Sequence, residues 1–557
     1  MHASLPRSFR PSWHCALAAL ASSLLLGGCL VGPDYETPPT KVNAEWLEPT
    51  DAGGPITAAQ ASPTWWEVFG DPALDRLVAE AWRENLPLRV AGLRVLEARA
   101  RRGIAVGRFF PQTQELFGGI SGNRLSANVP GGEGDRRYAY DDIGFQAVWE
   151  IDVWGKFRRG VEAADAEVLA SLANYDEVLV SLVAEVSSTY VLLRSLEERL
   201  AIARSNAVLQ KETLDLTKIR FDAGAVSELD VTTAQATLSN TQALIPFFEN
   251  AIRETTLVLC VLLGRPPSTL DELLAPPTGE KPRVPEAPPQ IAAGIPADLL
   301  RRRPDVRAAE RIAAAESARI GAAETELLPR ISIAGLTGFA SSNYDGLRTP
   351  ELGNIFDGDS FQGFIGLEIN WPILNYGRII GAVRAQDAVY EQAAATYQDS
   401  VLRAASEVEA GLSRFLRSRE RRDRLAESVV AAKRSVEISL IQYRAGAVDF
   451  IRVNDAQTVQ LQQEDLLVDA RASIALGAIA AFRGMGGGWE IRGDAELVDR
   501  ETIERMRNTV NWGDVTSPDW SRGSDFGFRR PRSDLEGPEA PKRETAAPVP
   551  ATNGGTQ

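Results

Sequence analysis

The chain repeats itself, and the repeat constrains its fold more than any other feature. At an offset of 222 residues, Trp149-x-Ile151-x-x-x-Gly155 matches Trp371-x-Ile373-x-x-x-Gly377. At the same offset Phe221-x-Ala223-Gly224-Ala225-Val226 matches Tyr443-x-Ala445-Gly446-Ala447-Val448, Ala234-Gln235 matches Ala456-Gln457, and Leu263-Gly264 matches Met485-Gly486. Nearer the start of each copy the offset is 218, pairing Gly103 with Gly321 and Pro111 with Pro329. Matches that keep one order across most of two halves identify a duplication, with a slightly longer loop in the second copy. The copies are assigned to 72–264 and 296–486, joined by a Pro- and Gly-rich linker at 265–295. Residues 29–71 read as an anchor and extended segment. Residues 487–557 read as a polar tail, expected to be largely disordered.

Each copy has room for a very long helix. Residues 131–245 and 373–517 contain no proline, and 161–223 contain no glycine. Without these breakers a helix can run on. Apolar residues recur every seventh position at Leu172, Leu179, Val186, Leu193, Leu200, Ala207 and Leu214. The second copy repeats this at Val401, Val408, Phe415, Val429, Val436 and Tyr443, with Arg422 breaking the register. Sustained heptads indicate coiled-coil packing. Gly224 and Gly446 are placed to end these helices, and return helices are expected over 227–264 and 449–485. Each copy therefore holds a long antiparallel helical hairpin.

The first residues read as a processing signal. Arg7 and Arg10 precede an apolar run from Cys15 to Leu26, which is too short to span a bilayer stably. Leu26-Gly27-Gly28-Cys29 then resembles a bacterial lipobox, with 1–28 as signal peptide. On that resemblance Cys29 becomes the first mature residue, carrying S-diacylglycerol and N-palmitoyl groups. Leu30, not Asp, follows it, as in lipoproteins sorted to the outer membrane. Several acyl chains anchor firmly at about 0.8 kcal/mol per buried methylene. The two histidines, His2 and His14, lie inside the signal. Their removal excludes Ser-His-Asp and Cys-His catalysis and any His-ligated metal, and neither an enzyme nor a resident metal or other cofactor is expected. A formal net charge of -15 argues against a nucleic-acid partner. Cys260 sits among Leu257, Val258, Val261 and Leu262 as a small hydrophobe.

Ahead of each long helix the pattern changes to period two. Ile143, Phe145, Ala147, Trp149, Ile151 and Val153 share one face, while Asp142, Gly144, Gln146, Glu150 and Asp152 share the other, Val148 excepted. In the second copy Ile365, Leu367, Ile369, Trp371 and Ile373 oppose Phe364, Gly366, Glu368 and Asn370. Gly-rich strands are expected near 112–122 and 330–341, joined to these by loops at 123–141 and 342–360. A soluble sheet with its apolar face inward shows the same alternation. The lipid anchor favours a transmembrane barrel with the apolar face outward. Four strands per chain cannot close a barrel, for which about eight is the practical minimum, and an open edge in lipid is not tolerated. The chain must oligomerise, a dimer giving eight strands and a trimer twelve.

In combination, four motifs resemble the outer membrane factor family of TolC-like channel-tunnels, in its NodT/OprM-type lipoprotein branch. They are Cys29-x-Val31-Gly32-Pro33-Asp34-Tyr35, Trp65-Trp66-x-x-Phe69-x-Asp71-Pro72-x-Leu74, Trp149-Glu150-Ile151-Asp152-x-Trp154-Gly155 and Arg303-Pro304-Asp305-Val306-x-x-Ala309-Glu310. The resemblance spans roughly 29–486. It implies a mainly α fold with β: a homotrimeric, twelve-stranded transmembrane β-barrel continuing into a long periplasmic α-helical barrel. It implies the outer-membrane channel of a tripartite efflux pump, a passive conduit for small molecules. The implied partners are a periplasmic adaptor protein, an inner-membrane RND-type pump and outer-membrane lipid.

The resemblance also assigns residues. The hairpin turns are the periplasmic tips, where Gly224, Ala225, Gly446 and Ala447 meet the adaptor. Ile451 matches an apolar gate ring, Asp455 a carboxylate ring, and Asp230 an aspartate that helps hold the closed state. Arg452 stands where some relatives carry an acid. A non-conducting coiled-coil envelope lipoprotein and a type I protein-secretion channel are the alternatives. Replacing Cys29 by serine is expected to abolish incorporation of labelled palmitate, and label retained by the Cys29→Ser chain would refute the anchor.

Overall fold

The computed structural model describes residues 30–48, 54–57, 62–128, 136–275, 282–294, 296–342, 355–517 and 520. Its contacts divide the chain into Met1–Pro518 and Asp519–Gln557, and every element below lies in the first unit. Cys29 lies outside the described residues.

In chain order, the first copy comprises α1 (Pro72–Glu84), α2 (Leu86–Gly107), β1 (Thr113–Arg124), β2 (Arg137–Glu150), α3 (Lys156–Asp222) and α4 (Glu228–Leu262). The second comprises α5 (Pro304–Glu324), β3 (Arg330–Ser342), β4 (Phe361–Asn370), α6 (Tyr376–Arg444) and α7 (Phe450–Gly484). A short α8 (Arg500–Thr509) follows. At 1.5 Å per residue, the 67 residues of α3 and 69 of α6 each reach about 100 Å. Their length rests on the heptad seam. Leu179, Val186, Leu193, Ala207 and Leu214 are buried on α3, as are Val401, Val408, Phe415, Val429, Val436 and Tyr443 on α6. Arg422, where the register breaks, reaches solvent beside Asp423.

The two copies are fastened at corresponding points. Asn85 caps α2 by accepting from Leu88 N and donates to the Leu262 carbonyl at the end of α4. Its counterpart at the 218 offset is Arg303, which donates to the Gly484 carbonyl at the end of α7 and also pairs with Asp305 and Glu407. In each copy the N-cap residue of a proline-started helix thus satisfies a carbonyl at the end of the return helix, one of those that helix geometry leaves open.

The four long strands form one antiparallel sheet in the order β1-β2-β3-β4, so the second hairpin of the sheet pairs directly with the first. Opposed residues project to the same side. The register therefore joins Leu116, Phe145, Ile143, Ile333, Phe339, Leu367, Ile365 and Phe361 into one apolar face. Glu115, Gln146, Asp142, Ser332, Glu368 and Asn370 lie on the other. The strands end earlier than the alternation does. Val153 N turns back to the Ile151 carbonyl, and Pro372, which has no N–H to donate, follows β4 by two residues. The loop between β1 and β2 is correspondingly shorter than 123–141, since β1 runs to Arg124 and β2 starts at Arg137.

Residues 487–517 are not the disordered tail that their polarity suggested. They strap the middle of the molecule through charge pairs. Arg492 reaches the buried Asp176 carboxylate at 2.9 Å, and Arg307 stacks on Trp489 with its guanidinium carbon 5.1 Å from the ring centre. Asp499 caps α8 and pairs with Arg89 at 3.0 Å, while Arg99 donates to the Val515 and Ser517 carbonyls. The linker likewise carries structure, for Ile291 and Ala292 pair in parallel with Ile56 and Thr57. At the opposite end of the chain, buried Arg159 holds the extended start by donating to the Val31 and Gly32 carbonyls and to Asp34. There Gly32 lies so close to Gly321 that a side chain on either would collide.

Burial pushes the Asp176 carboxyl above the usual range, against the pull of Arg492 and Arg307. Arg492→Met leaves that carboxylate with only Arg307, at 3.8 Å, and is expected to cost about 3 kcal/mol in thermal unfolding. An acid with a raised folded-state pKa binds its proton more tightly folded than unfolded, so folding gains as pH falls through that range. The deficit is therefore expected to shrink as pH is lowered from about 7 toward about 5. A deficit that grows on acidification would contradict this.

Candidate functional site at the hairpin tips

Both long helices end in the same way. Gly224 and Gly446 adopt φ of 71° and 72°, the left-handed region where a side chain is strained. Ala225 N donates to the Arg220 carbonyl and Gly224 N to that of Phe221. In the second copy Ala447 N donates to the Gln442 carbonyl and Gly446 N to that of Tyr443. This is the Schellman arrangement, which satisfies the last carbonyls of each helix within two residues. No atom lies within 4 Å of where a Gly224 side chain would begin, so backbone conformation rather than space requires glycine there.

The return helices start differently. Ser227 and Asp230 form a reciprocal capping box, Asp230 N donating to Ser227 Oγ and Ser227 N to the Asp230 carboxylate. Asp230 thus has a local stabilising role that the sequence reading missed, although Ser227-x-x-Asp230 carries the signal. The second copy has Asp449 and Arg452 at these positions and makes no side-chain cap. Ile451 is half exposed in the first turn of α7. Asp455 lies one turn on and, with Arg452, lines an open groove of about 730 Å³ between α6 and α7.

The tips of the two hairpins are bound to each other. The Arg220 guanidinium lies 4.5 Å from the centre of the buried Tyr443 ring and donates to the Tyr443 carbonyl. Tyr443 Oη meets Thr217 Oγ1, and its ring packs edge-on against Phe450. Gln457 donates to Thr213 Oγ1 at 2.8 Å, and Thr237 Oγ1 to Asn454 Oδ1 at 2.6 Å. The sequence-derived site residues are distributed over this assembly: Asp230, Gly224 and Ala225 on the first hairpin, and Ile451, Asp455, Gly446 and Ala447 on the second. Sequence reading missed the fastening residues Arg220, Tyr443, Thr213 and Gln457. Differences between copies were the available signal, since Arg220 aligns with Gln442 and Tyr443 with Phe221.

The model of the outer membrane efflux protein family matches residues 77–265 and 295–484, both copies. The chain belongs to that family. Like its relatives, it is an efflux channel of the outer membrane that extends into the periplasm. Pyoverdine export outer membrane protein OpmQ of Pseudomonas putida is 29% identical over 487 residues, covering 86% of this chain and 98% of that protein. Nodulation protein T of Rhizobium leguminosarum bv. viciae is 30% identical over 441 residues, covering 79% and 87%. Toluene efflux pump outer membrane protein TtgI of Pseudomonas putida is 30% identical over 479 residues, covering 84% and 97%. Among solved structures, the outer-membrane channel OprN superposes with a TM-score of 0.75 at 32% identity, covering 83% of this chain and all of that one. The Campylobacter jejuni CmeC outer membrane channel shares the fold, with a TM-score of 0.74 at 22% identity.

Arg220→Gln removes a cation–π contact and a charged donor, and is expected to lower local stability by about 1–2 kcal/mol. Faster amide exchange in the last turns of α6 and the first of α7, with the strap 487–517 unchanged, is the readout. Unchanged exchange at both tips would show that the contact contributes nothing.

Proposed function

We propose that the chain is one subunit of a homotrimeric channel-tunnel, the passive outer-membrane conduit of a tripartite pump exporting small molecules. The observation that carries this reading is the exposed apolar face of an open four-stranded sheet. Leu116 is 80% exposed and Ile365 83%, with Phe361, Leu367 and Ile369 exposed beside them. Among the described residues, the outer edges of β1 and β4 have no partner strand. Three such sheets give twelve strands, close every edge and turn the apolar face to lipid.

The height of that face fits a bilayer. Trp149 and Trp371 stand at one end, their indoles donating to the Phe109 and Leu327 carbonyls at 3.1 Å. Phe339, Phe356 and Phe361 cluster at the other, with ring centres 5.7 and 5.9 Å apart. From Trp371 to Phe361 is about 34 Å along a strand, or about 25 Å of height at a barrel tilt of about 40°. The opposite face, with Glu115, Asp142 and Glu368, would line a wet lumen.

In this reading acylated Cys29 adds a lipid anchor. Arg159 holds the residues that follow it beside Trp154 and Gly155, at the sheet's inner end. The tips form the periplasmic gate, with Ile451 and Asp455 repeated around a three-fold axis and Asp230 supporting the closed state. Gly224, Ala225, Gly446 and Ala447 present bare backbone to the helical hairpins of a periplasmic adaptor. Energy comes from an inner-membrane RND-type transporter, and adaptor binding shifts the population toward the open tip. No catalytic chemistry and no cofactor beyond the covalent lipid are required.

Purified protein in planar bilayers is expected to give discrete, cation-preferring conductance steps. Asp455→Asn should weaken the cation preference and Ile451→Ala should raise the resting conductance. A folded, membrane-inserted protein without conductance would favour the coiled-coil lipoprotein instead.

A further inference from the structure

The two strand hairpins differ at the end away from the helices. On β1 and β2 the register sets Arg124 directly opposite Arg137. Arg124 shares its side of β1 with Leu116 and Ile120, and Arg137 its side of β2 with Ile143 and Phe145, so both arginines stand on the apolar face. Both are exposed. The Leu125 N–H donates to the Arg136 carbonyl, which makes 125–136 a hydrogen-bonded pair and 124–137 the closer, non-hydrogen-bonded kind. Like charges held opposite each other in this way repel. The nearest acid on that side of either strand is Asp141, buried and about 13 Å further in along β2. At the corresponding positions of the second hairpin, offset by 218 and 222, stand Ser342 and Asp359. That hairpin carries the rings of Phe339, Phe356 and Phe361 instead. The shared fold therefore does not call for the two arginines, and what the first hairpin meets does.

We infer that Arg124 and Arg137 bind a phosphate of the phosphorylated glycolipid in the outer leaflet, one lipid per subunit. The inference rests on the barrel reading above. From Trp149 to Arg137 is about 40 Å along β2, or about 30 Å of height at a barrel tilt of about 40°. An apolar band about 25 Å tall ends below that level, and lipid headgroups occupy the next several ångströms. The pair thus stands at headgroup height, on the side of the bilayer opposite the helices. A phosphate seated between two planar guanidinium groups accepts charge-assisted, bidentate hydrogen bonds from each and replaces their repulsion with two attractions. The acyl chains of the same lipid lie along Ile120 and Ile143, as on any barrel, so the arginines add recognition of the headgroup. An uncharged sugar headgroup offers them no such partner.

The test uses the full-length protein in detergent with two probes, bisphosphorylated lipid A and the same lipid stripped of phosphate, with bound lipid counted by native mass spectrometry. The native trimer is expected to hold one phosphorylated lipid per subunit and to bind the stripped lipid about thirtyfold more weakly. Arg124→Gln with Arg137→Gln should weaken binding of the phosphorylated lipid by the same factor. Arg124→Lys with Arg137→Lys should keep part of the affinity, since charge remains but the bidentate fork does not. Arg136→Gln removes one charge from the neighbouring position on the other face and should change nothing. Displacement of the lipid by millimolar inorganic phosphate would show a general anion site and overturn the lipid assignment. A trimer in which the double glutamine variant binds as before, or in which Arg136→Gln weakens binding as much, would overturn this inference alone. A monomer in native mass spectrometry would refute the barrel reading, and this inference with it.

Discussion

An antiparallel sheet of four strands, apolar on one side, has two unpaired edges and a face that water does not favour. Among the described residues nothing solves either problem. The helices pack below the strand ends rather than over the apolar face, so Leu116 and Ile365 remain in the open. Edge pairing needs more strands of matching register, which other copies supply in the proposed trimer. Lipid solves the second problem once the edges close, because a closed barrel leaves no backbone group unsatisfied. The position of the aromatic rings at both ends of the face, the polar opposite face and the buried Arg159 clasp on residues 31–34 all fit that proposed arrangement.

Much of this was legible in the residues because long-range order here repeats short patterns. The heptad positions from Leu179 to Leu214 and from Val401 to Tyr443 are the buried seam, and Gly224 and Gly446 end the helices with the left-handed geometry that glycine permits. The alternation before each long helix gave the sheet's faces correctly but overran its ends, because side-chain parity carries no information about hydrogen bonding. Pro372 and the turn of Val153 onto Ile151 decide that. The first part of the tail, 487–517, was misread for a related reason, while 521–557 lie outside the described residues. Polarity was equated with disorder, yet Arg492 and Asp499 are polar because their partners, Asp176 and Arg89, are polar too. Pairing between distant charges has no local signature.

The duplication explains why the candidate site was only half visible. Two copies under one set of folding rules keep the same breaks and seams, so the tips could be located from the repeat alone. What differs between copies depends on what each faces. Asn85 meets one carbonyl where Arg303 meets a carbonyl and two carboxylates. Ser227 and Asp230 cap a helix where Asp449 and Arg452 do not. Such divergence looks like noise in a sequence, and only contacts turn it into information.

The distribution of charge also bears on where the molecule can move. Around the middle, Asp176 with Arg307 and Arg492 ties the two copies and the strap together, while Arg303 with Asp305 and Glu407, and Tyr190 with Asp71 and Arg194, hold the helix starts. Separating any of these would leave a charge in a poorly solvated place, which costs far more than parting neutral groups. Toward the tips the bonds become Thr–Gln, Thr–Asn and a single guanidinium on a ring, and the groups released there find water at once. A protomer built this way resists change at its middle and yields at its tips. In the proposed channel, opening would then be a local event at the tips, and the strands need not take part in it.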